Sequence, residues 1–171
     1  MKLLQAIAAA ALCCLVVTSC EPDDSAPQQV TDGKLVATVE GESFSASPES
    51  IQAAIIDGAL VVIATDMDSG TTIQLNAQDL YQSYHDLGEF HESVATYKAS
   101  RVTTFTTSMA PAKGEIIITD INLENSTVSG TFMFAAFRTT EDLNNPDYEQ
   151  MRVTEGAFSN LPVGVIPAPE Q

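Results

Sequence analysis

The sequence predicts an all-β domain, a single antiparallel β-sandwich or barrel of about eight to ten strands. Three observations carry that expectation. Apolar and polar residues alternate over short stretches, as where Ile73, Leu75 and Ala77 interleave with Thr72, Gln74 and Asn76. Turn-forming residues such as Glu40-Gly41 and Asp57-Gly58 separate these stretches at close intervals, which favours hairpins over long crossovers. Helical spacing shows in one segment alone, residues 78–87. A sandwich is preferred to a barrel because Leu60-Val61-Val62-Ile63-Ala64 is continuous rather than alternating, as expected of a central strand covered on both faces.

Taken in order, the first strand has Leu35, Ala37 and Val39 on one face, and Glu40-Gly41-Glu42 turns the chain into Phe44 and Ala46. Residues 51–56 and 60–65 flank Asp57-Gly58, a strong hairpin turn because Gly accepts positive φ at little steric cost. In residues 78–87, Leu80, Tyr84 and Leu87 fall at i, i+4 and i+7 with Gly88 behind them, which predicts one short helix. Tyr97 and Phe105 sit in Thr-rich stretches of high strand preference. Beyond Pro111 and Gly114 a strand runs over 115–123, and Glu124, Asn125 and Ser126 supply the next turn. Val128, Gly130, Phe132, Phe134 and Ala136 share one face of a long strand, a polar loop covers 139–148, and the last strand runs over 152–158. The predicted core comprises Phe44, Ile63, Ile73, Leu75, Ile116, Ile118, Phe132, Phe134 and Phe158.

The organisation around this domain is legible from the N-terminus. Lys2 precedes an apolar run over residues 3–17, and Thr18-Ser19 lead into Cys20. Charge, apolar core and small residues in that order describe a secretory signal over residues 1–19, and the run is too short to span a bilayer as a helix. Val17-Thr18-Ser19-Cys20 resembles a bacterial lipobox, in which the cysteine receives diacylglycerol and becomes the acylated N-terminus. That resemblance implies lipid attachment at Cys20 and a membrane anchor. Residues 20–33 then read as a disordered tether, with Glu21, Asp23 and Asp24 acidic and Pro22 and Pro27 breaking regular structure. Acids so soon after the cysteine resemble surface-export signals, against the plainer reading of an acidic linker. The β domain occupies 34–163 and residues 164–171 form a flexible tail.

Composition narrows the function classes. Loss of the signal leaves six cationic residues against 23 acidic ones, a net charge of −17. Such a surface repels nucleic acid, whose binding depends on cations neutralising phosphates. Cys13 and Cys14 leave with the signal and Cys20 is blocked by lipid. The domain therefore has no thiol for disulfides, nucleophilic catalysis or zinc.

Each reactive constellation is weaker than its structural counterpart. Asp66-Met67-Asp68-Ser69-Gly70 opens like a calcium loop, but its fifth position is Gly and its twelfth, Ala77, is not Glu, so a hairpin turn is the better reading. His85 and His91 are the sole histidines, and their spacing does not place two ligands on one helical face. A two-histidine site with Asp86, Glu89 or Glu92 is the sharper reading, exposed loop histidines the plainer one. There is no Gly-x-Ser-x-Gly elbow and no Gly-rich phosphate loop. Trp is absent, and Tyr81, Tyr84 and Tyr148 in predicted loops offer little platform for glycans. No catalytic, cofactor or metal residues are assigned.

Four strand motifs in order carry a family resemblance: Ala37-Thr38-Val39-Glu40-Gly41-Glu42 with Phe44, Gly114-Glu115-Ile116-Ile117-Ile118-Thr119, Ser129-Gly130-Thr131-Phe132, and Val153-Thr154-Glu155-Gly156-Ala157-Phe158. With the lipobox they make the chain similar to an uncharacterised family of small Bacteroidota-type lipoproteins with a domain of unknown function, over residues 34–163. The resemblance implies a β-rich domain and a lipid anchor, and no activity. The expected function is a non-catalytic binding or interaction module at the outer membrane, facing a protein or glycan partner. A small-ligand carrier with an open barrel interior is the alternative, and an envelope enzyme ranks below both.

Overall fold

Period two in the sequence becomes period two in burial. The computed structural model describes residues 30–139 and 149–166. The signal, Cys20, most of the tether, Tyr148 with the greater part of the polar loop, and the tail from residue 167 lie outside the described residues. Twelve strands form: β1 (Lys34–Val39), β2 (Glu42–Ala46), β3 (Ile51–Ile56), β4 (Ala59–Thr65), β5 (Thr72–Ala77), β6 (Tyr84–Leu87), β7 (Val94–Lys98), β8 (Thr104–Thr106), β9 (Lys113–Asn122), β10 (Thr127–Arg138), β11 (Gln150–Pro162) and β12 (Gly164–Ile166). A 3-10 turn, Pro48–Ser50, is the one helical element among the described residues.

The all-β class is as expected, but the strands make neither two facing sheets nor a closed barrel. One sheet runs β12-β3-β4-β5-β7-β8-β10-β11-β1-β2, with β9 beside β10 and β6 beyond β9. It curls into an open half-barrel. β10 is long enough to pair with β9 over Thr127–Ala135 and with β8 at Phe137 and Arg138, so the sheet forks there. Neighbours are antiparallel except β12, which runs parallel to β3 and takes residues 164–166 out of the expected tail. The strand count exceeds expectation because β8 and β12 have three residues each and β6 has four, too few to show a period.

The hairpins follow their turn residues. Asp57 and Gly58 both adopt positive φ, 52° and 83°, the pairing a two-residue hairpin with right-handed strand twist demands. At the β4–β5 turn the Asp66 carboxylate accepts the N–H groups of Asp68 and Ser69 at 2.8 and 3.2 Å, which ties the turn together.

Curling needs a bent strand, and β11 is bent twice. Register shifts against β10 fall where Glu155 and Asn160 take positive φ of 52° and 45°. Such bulges raise local twist and aim the flanking side chains inward. Between them, three rings stack along the interior: Phe134 against Phe132 at 6.3 Å and Phe132 against Phe158 at 6.4 Å. Each ring has a glycine opposite it on the next strand, Phe134 over Gly114, Phe132 over Gly156 and Phe158 over Gly130. A methyl group on Gly130 would stand 2.5 Å from the Phe158 ring, and one on Gly156 would stand 2.5 Å from the Phe132 ring. Only hydrogen fits, and the two glycine-aromatic motifs of the sequence are one interlocked unit.

The interior of the curl is filled by one continuous cluster that includes Leu35, Phe44, Val62, Ile73, Leu75, Phe105, Ile116 and Leu161. Eight of the nine predicted core residues are in it; Ile63 is not. Leu60, Val62 and Ala64 point inward, whereas Val61 and Ile63 lie half-buried on the outer face. The run is continuous in sequence because the outer face of β4 is apolar too, although no second sheet covers it.

Candidate functional site

Residues 78–93 depart most from the expected structure. No helix forms. Leu80 is buried and its N–H donates to the Gly58 carbonyl at 2.8 Å, while the Asp79 carboxylate accepts the Tyr81 N–H at 3.0 Å and the Gln82 amide at 3.2 Å. This side-chain cap makes a turn out of what three apolar residues had marked as a helix. The Ile118 N–H then donates to the Ser83 carbonyl at 2.8 Å and starts the pairing of β6 on β9. β6 alternates, with His85 and Leu87 inward and Tyr84 and Asp86 outward. A polar residue on the buried face hid that alternation in the sequence.

His85 is therefore a buried strand residue, not an exposed loop histidine. Its Nε2 lies 3.0 Å from the Gln82 carbonyl, which can only accept, so the neutral ring carries its proton there. Nδ1 is left to accept from the buried Ser93 hydroxyl at 3.3 Å, and Ser93 Oγ accepts the Gln78 N–H at 3.1 Å. The chain of bonds ties the strand to both flanking loops.

His85 and His91 line one open cleft of about 450 Å³ together with Asp79, Asp86 and Glu92. This brings together much of the suspected two-histidine site. The serine is buried and engaged, and the far imidazole nitrogen meets a carbonyl where a catalytic triad places a carboxylate. Among the described residues no group of three His, Cys, Asp or Glu side chains is placed to hold a metal ion.

On the outer face the Tyr84 hydroxyl donates to Asp86 at 3.0 Å. Asp86 pairs across the strands with Glu115, and the two carboxylates, Asp86 foremost, push the phenol up to about 12. Tyr84 thus sits on a strand rather than in a loop. Tyr81 stays in the turn, 78% exposed, and Tyr84 is 48% exposed. Phe90, on the loop after β6, is 89% exposed. These three are the exposed aromatic side chains among the described residues, all within ten positions of one another. The sequence reading passed over Phe90, although an aromatic residue set among Glu89, His91 and Glu92 without an apolar partner at strand spacing is the signal that marks it.

Among the described residues β6 pairs with β9 alone, so no strand covers its other edge. Asp79, Asp86, Glu89 and Glu92 surround the rings and are themselves exposed. The arrangement offers ring faces amid negative charge, which suits contact with cationic or amphipathic groups.

Residues 32–162 match a family described as Domain of unknown function (DUF6252). No curated protein and no solved structure matches the chain.

Proposed function

This chain belongs to the DUF6252 family, and from that premise we propose that it is a lipid-anchored envelope protein whose β domain is a non-catalytic binding module. Acylation at Cys20 holds it to the outer membrane, the acidic tether spaces the domain from the bilayer, and the β6 flank meets a protein or glycan partner. The observation that carries this reading is the cluster of Tyr81, Tyr84 and Phe90 on loops and an edge strand braced from beneath by His85 and Ser93. Exposed aromatic rings on a rigid support are what binding hot spots are made of. The filled interior speaks for the module over the carrier, which needs an open one. The braced histidine speaks for it over the enzyme.

The test is photo-crosslinking in intact cells of the producing organism. A photoreactive residue at Phe90 is expected to capture one discrete partner, and the same residue at Leu123, exposed on another turn, is expected not to. Equal capture at both positions, or none at Phe90, removes the reading. The anchor is tested separately, since Cys20→Ala should release the protein from membranes or leave an unprocessed precursor.

A further inference from the structure

A second surface adjoins the aromatic flank across β9. On the outer face of β9, β10 and β11, Ala135 pairs with Lys113 on one side and with Arg152 on the other. Adjacent strands lie about 4.8 Å apart, so the two cationic side chains leave the sheet roughly 10 Å apart on either side of Ala135. Met133, one outward position along β10, is 50% exposed beside them. These residues line a cleft of about 500 Å³ together with Gly114, Glu115 and Val153. That is the size of a small-molecule site rather than of a macromolecular groove.

The charges are the unexpected part. The chain carries 23 acidic residues against seven cations, yet among the described residues neither Lys113 nor Arg152 is in an ion pair. Arg138, by contrast, meets Glu149 at 3.0 Å. Two carboxylates lie near Lys113 and Arg152: Glu115 lines the cleft across from Met133, and Glu40 lies at Arg152. Glu115 also helps to raise the Tyr84 phenol, and Glu40 accepts the backbone N–H of Arg152. Two cations flanking one methyl beside an exposed thioether form a surface complementary to an anion with an apolar body, because Arg offers a fork and Lys a point charge to the same oxygens.

We propose that this cleft binds a small anionic amphiphile, its carboxylate or phosphate head between Lys113 and Arg152 and its apolar body over Met133 and Ala135. The cleft and the β6 surface lie on either side of β9 and share Glu115.

The experiment uses the full lipidated chain in phosphatidylcholine nanodiscs, with ¹³C-labelled methionine methyls and Met133→Leu to assign the Met133 signal. Hexanoate, hexyl phosphate and uncharged hexanol are titrated. One or both anions should shift the Met133 methyl saturably, about ten-fold or more tighter than hexanol, and added salt should weaken them. The tighter of the two identifies the head group. K113Q or R152Q, both at exposed positions, should weaken the anion by about ten-fold or more with the far-UV spectrum unchanged. No saturable shift with either anion, hexanol binding equally well, or full binding by the double variant would overturn the site.

Discussion

Two sets of aromatic residues lie one strand apart and serve opposite ends. Phe132, Phe134 and Phe158 stack inside the curl, each over a glycine of the neighbouring strand. Tyr81, Tyr84 and Phe90 stand in solvent on and around β6. β9 belongs to both regions, since its Gly114 receives Phe134 from β10 and pairs with Leu87 of β6 on the other side. The difference lies in what each ring faces. Long strands with cross-strand glycines give an aromatic ring a place to be buried, whereas short strands and capped turns leave it outside. Exposed rings cost the fold solvation, and a region that keeps three of them on a braced support is arranged for contact rather than for stability.

The widest separation between the regions should appear in stability. Phe132 touches both other rings and fills the space over Gly156, so Phe132→Ala is expected to cost about 3–5 kcal/mol in denaturant unfolding. A loss below about 1 kcal/mol would mean that the ladder repacks around the gap. Gly130→Ala comes next, at about 1–3 kcal/mol, because its new methyl meets the Phe158 ring and the Ile117 carbonyl, each at 2.5 Å. A double-mutant cycle with Phe158→Ala sharpens the point. Removing the ring should restore part of the loss, the carbonyl clash persisting, and additive losses would show that ring and glycine are not interlocked.

The brace beneath the exposed rings should rank third. Ser93→Ala strips His85 Nδ1 and the Gln78 N–H of their partner in a buried setting, which costs about 1–3 kcal/mol. It should also loosen the loops that carry Phe90, seen as faster amide exchange over residues 78–93.

Much of the fold was legible because its signals are local and repetitive. Alternation in β5 and β10 and the Asp57-Gly58 turn depend on near neighbours, and the structure follows them. What was illegible depended on distant contacts. His85 reads as a surface residue until Ser93 and Gln82 supply its partners, and without it the alternation of β6 disappears. Ile63 reads as core because apolar residues on an uncovered outer face look the same in sequence as those on a buried one. Gly130 shares a strand face with Phe132 and Phe134 in the sequence, but which ring meets which glycine depends on the bulged register of β11. At the candidate site the tyrosines were noted and Phe90 was missed. Lys113 and Arg152, 39 positions apart in sequence, come to either side of Ala135 only through pairing across three strands.

A titration separates the strand part of the flank from its loop part. Tyr84 should ionise at about 12, well after an unhindered phenol, because its proton is held by Asp86 and Glu115. A raised folded value means that this contribution is fully present below about pH 10, the unfolded range, and is lost as pH rises through about 12. Ultraviolet absorbance of phenolate formation should show the late component, and Asp86→Asn should move it toward the ordinary range. A late component that survived Asp86→Asn would shift the assignment to Glu115.

The smallest expected effect is the most telling. Phe90 is almost wholly exposed, so Phe90→Ala removes little packing and should leave stability within about 0.5 kcal/mol. Phe132→Ala changes the same residue type by the same chemistry, so the pair isolates environment as the variable. If Phe90→Ala also preserves hydrogen exchange over the whole sheet, the ring contributes nothing to the fold that would explain its presence. Capture of a partner should nonetheless weaken by about ten-fold or more, the mark of a hot spot, because a ring that desolvates against a partner contributes there what it does not contribute within the chain. A loss of stability comparable to that of Phe132→Ala would place Phe90 in a packing role and erase the contrast between the two regions. Unchanged stability with unchanged capture would move the contact surface away from β6.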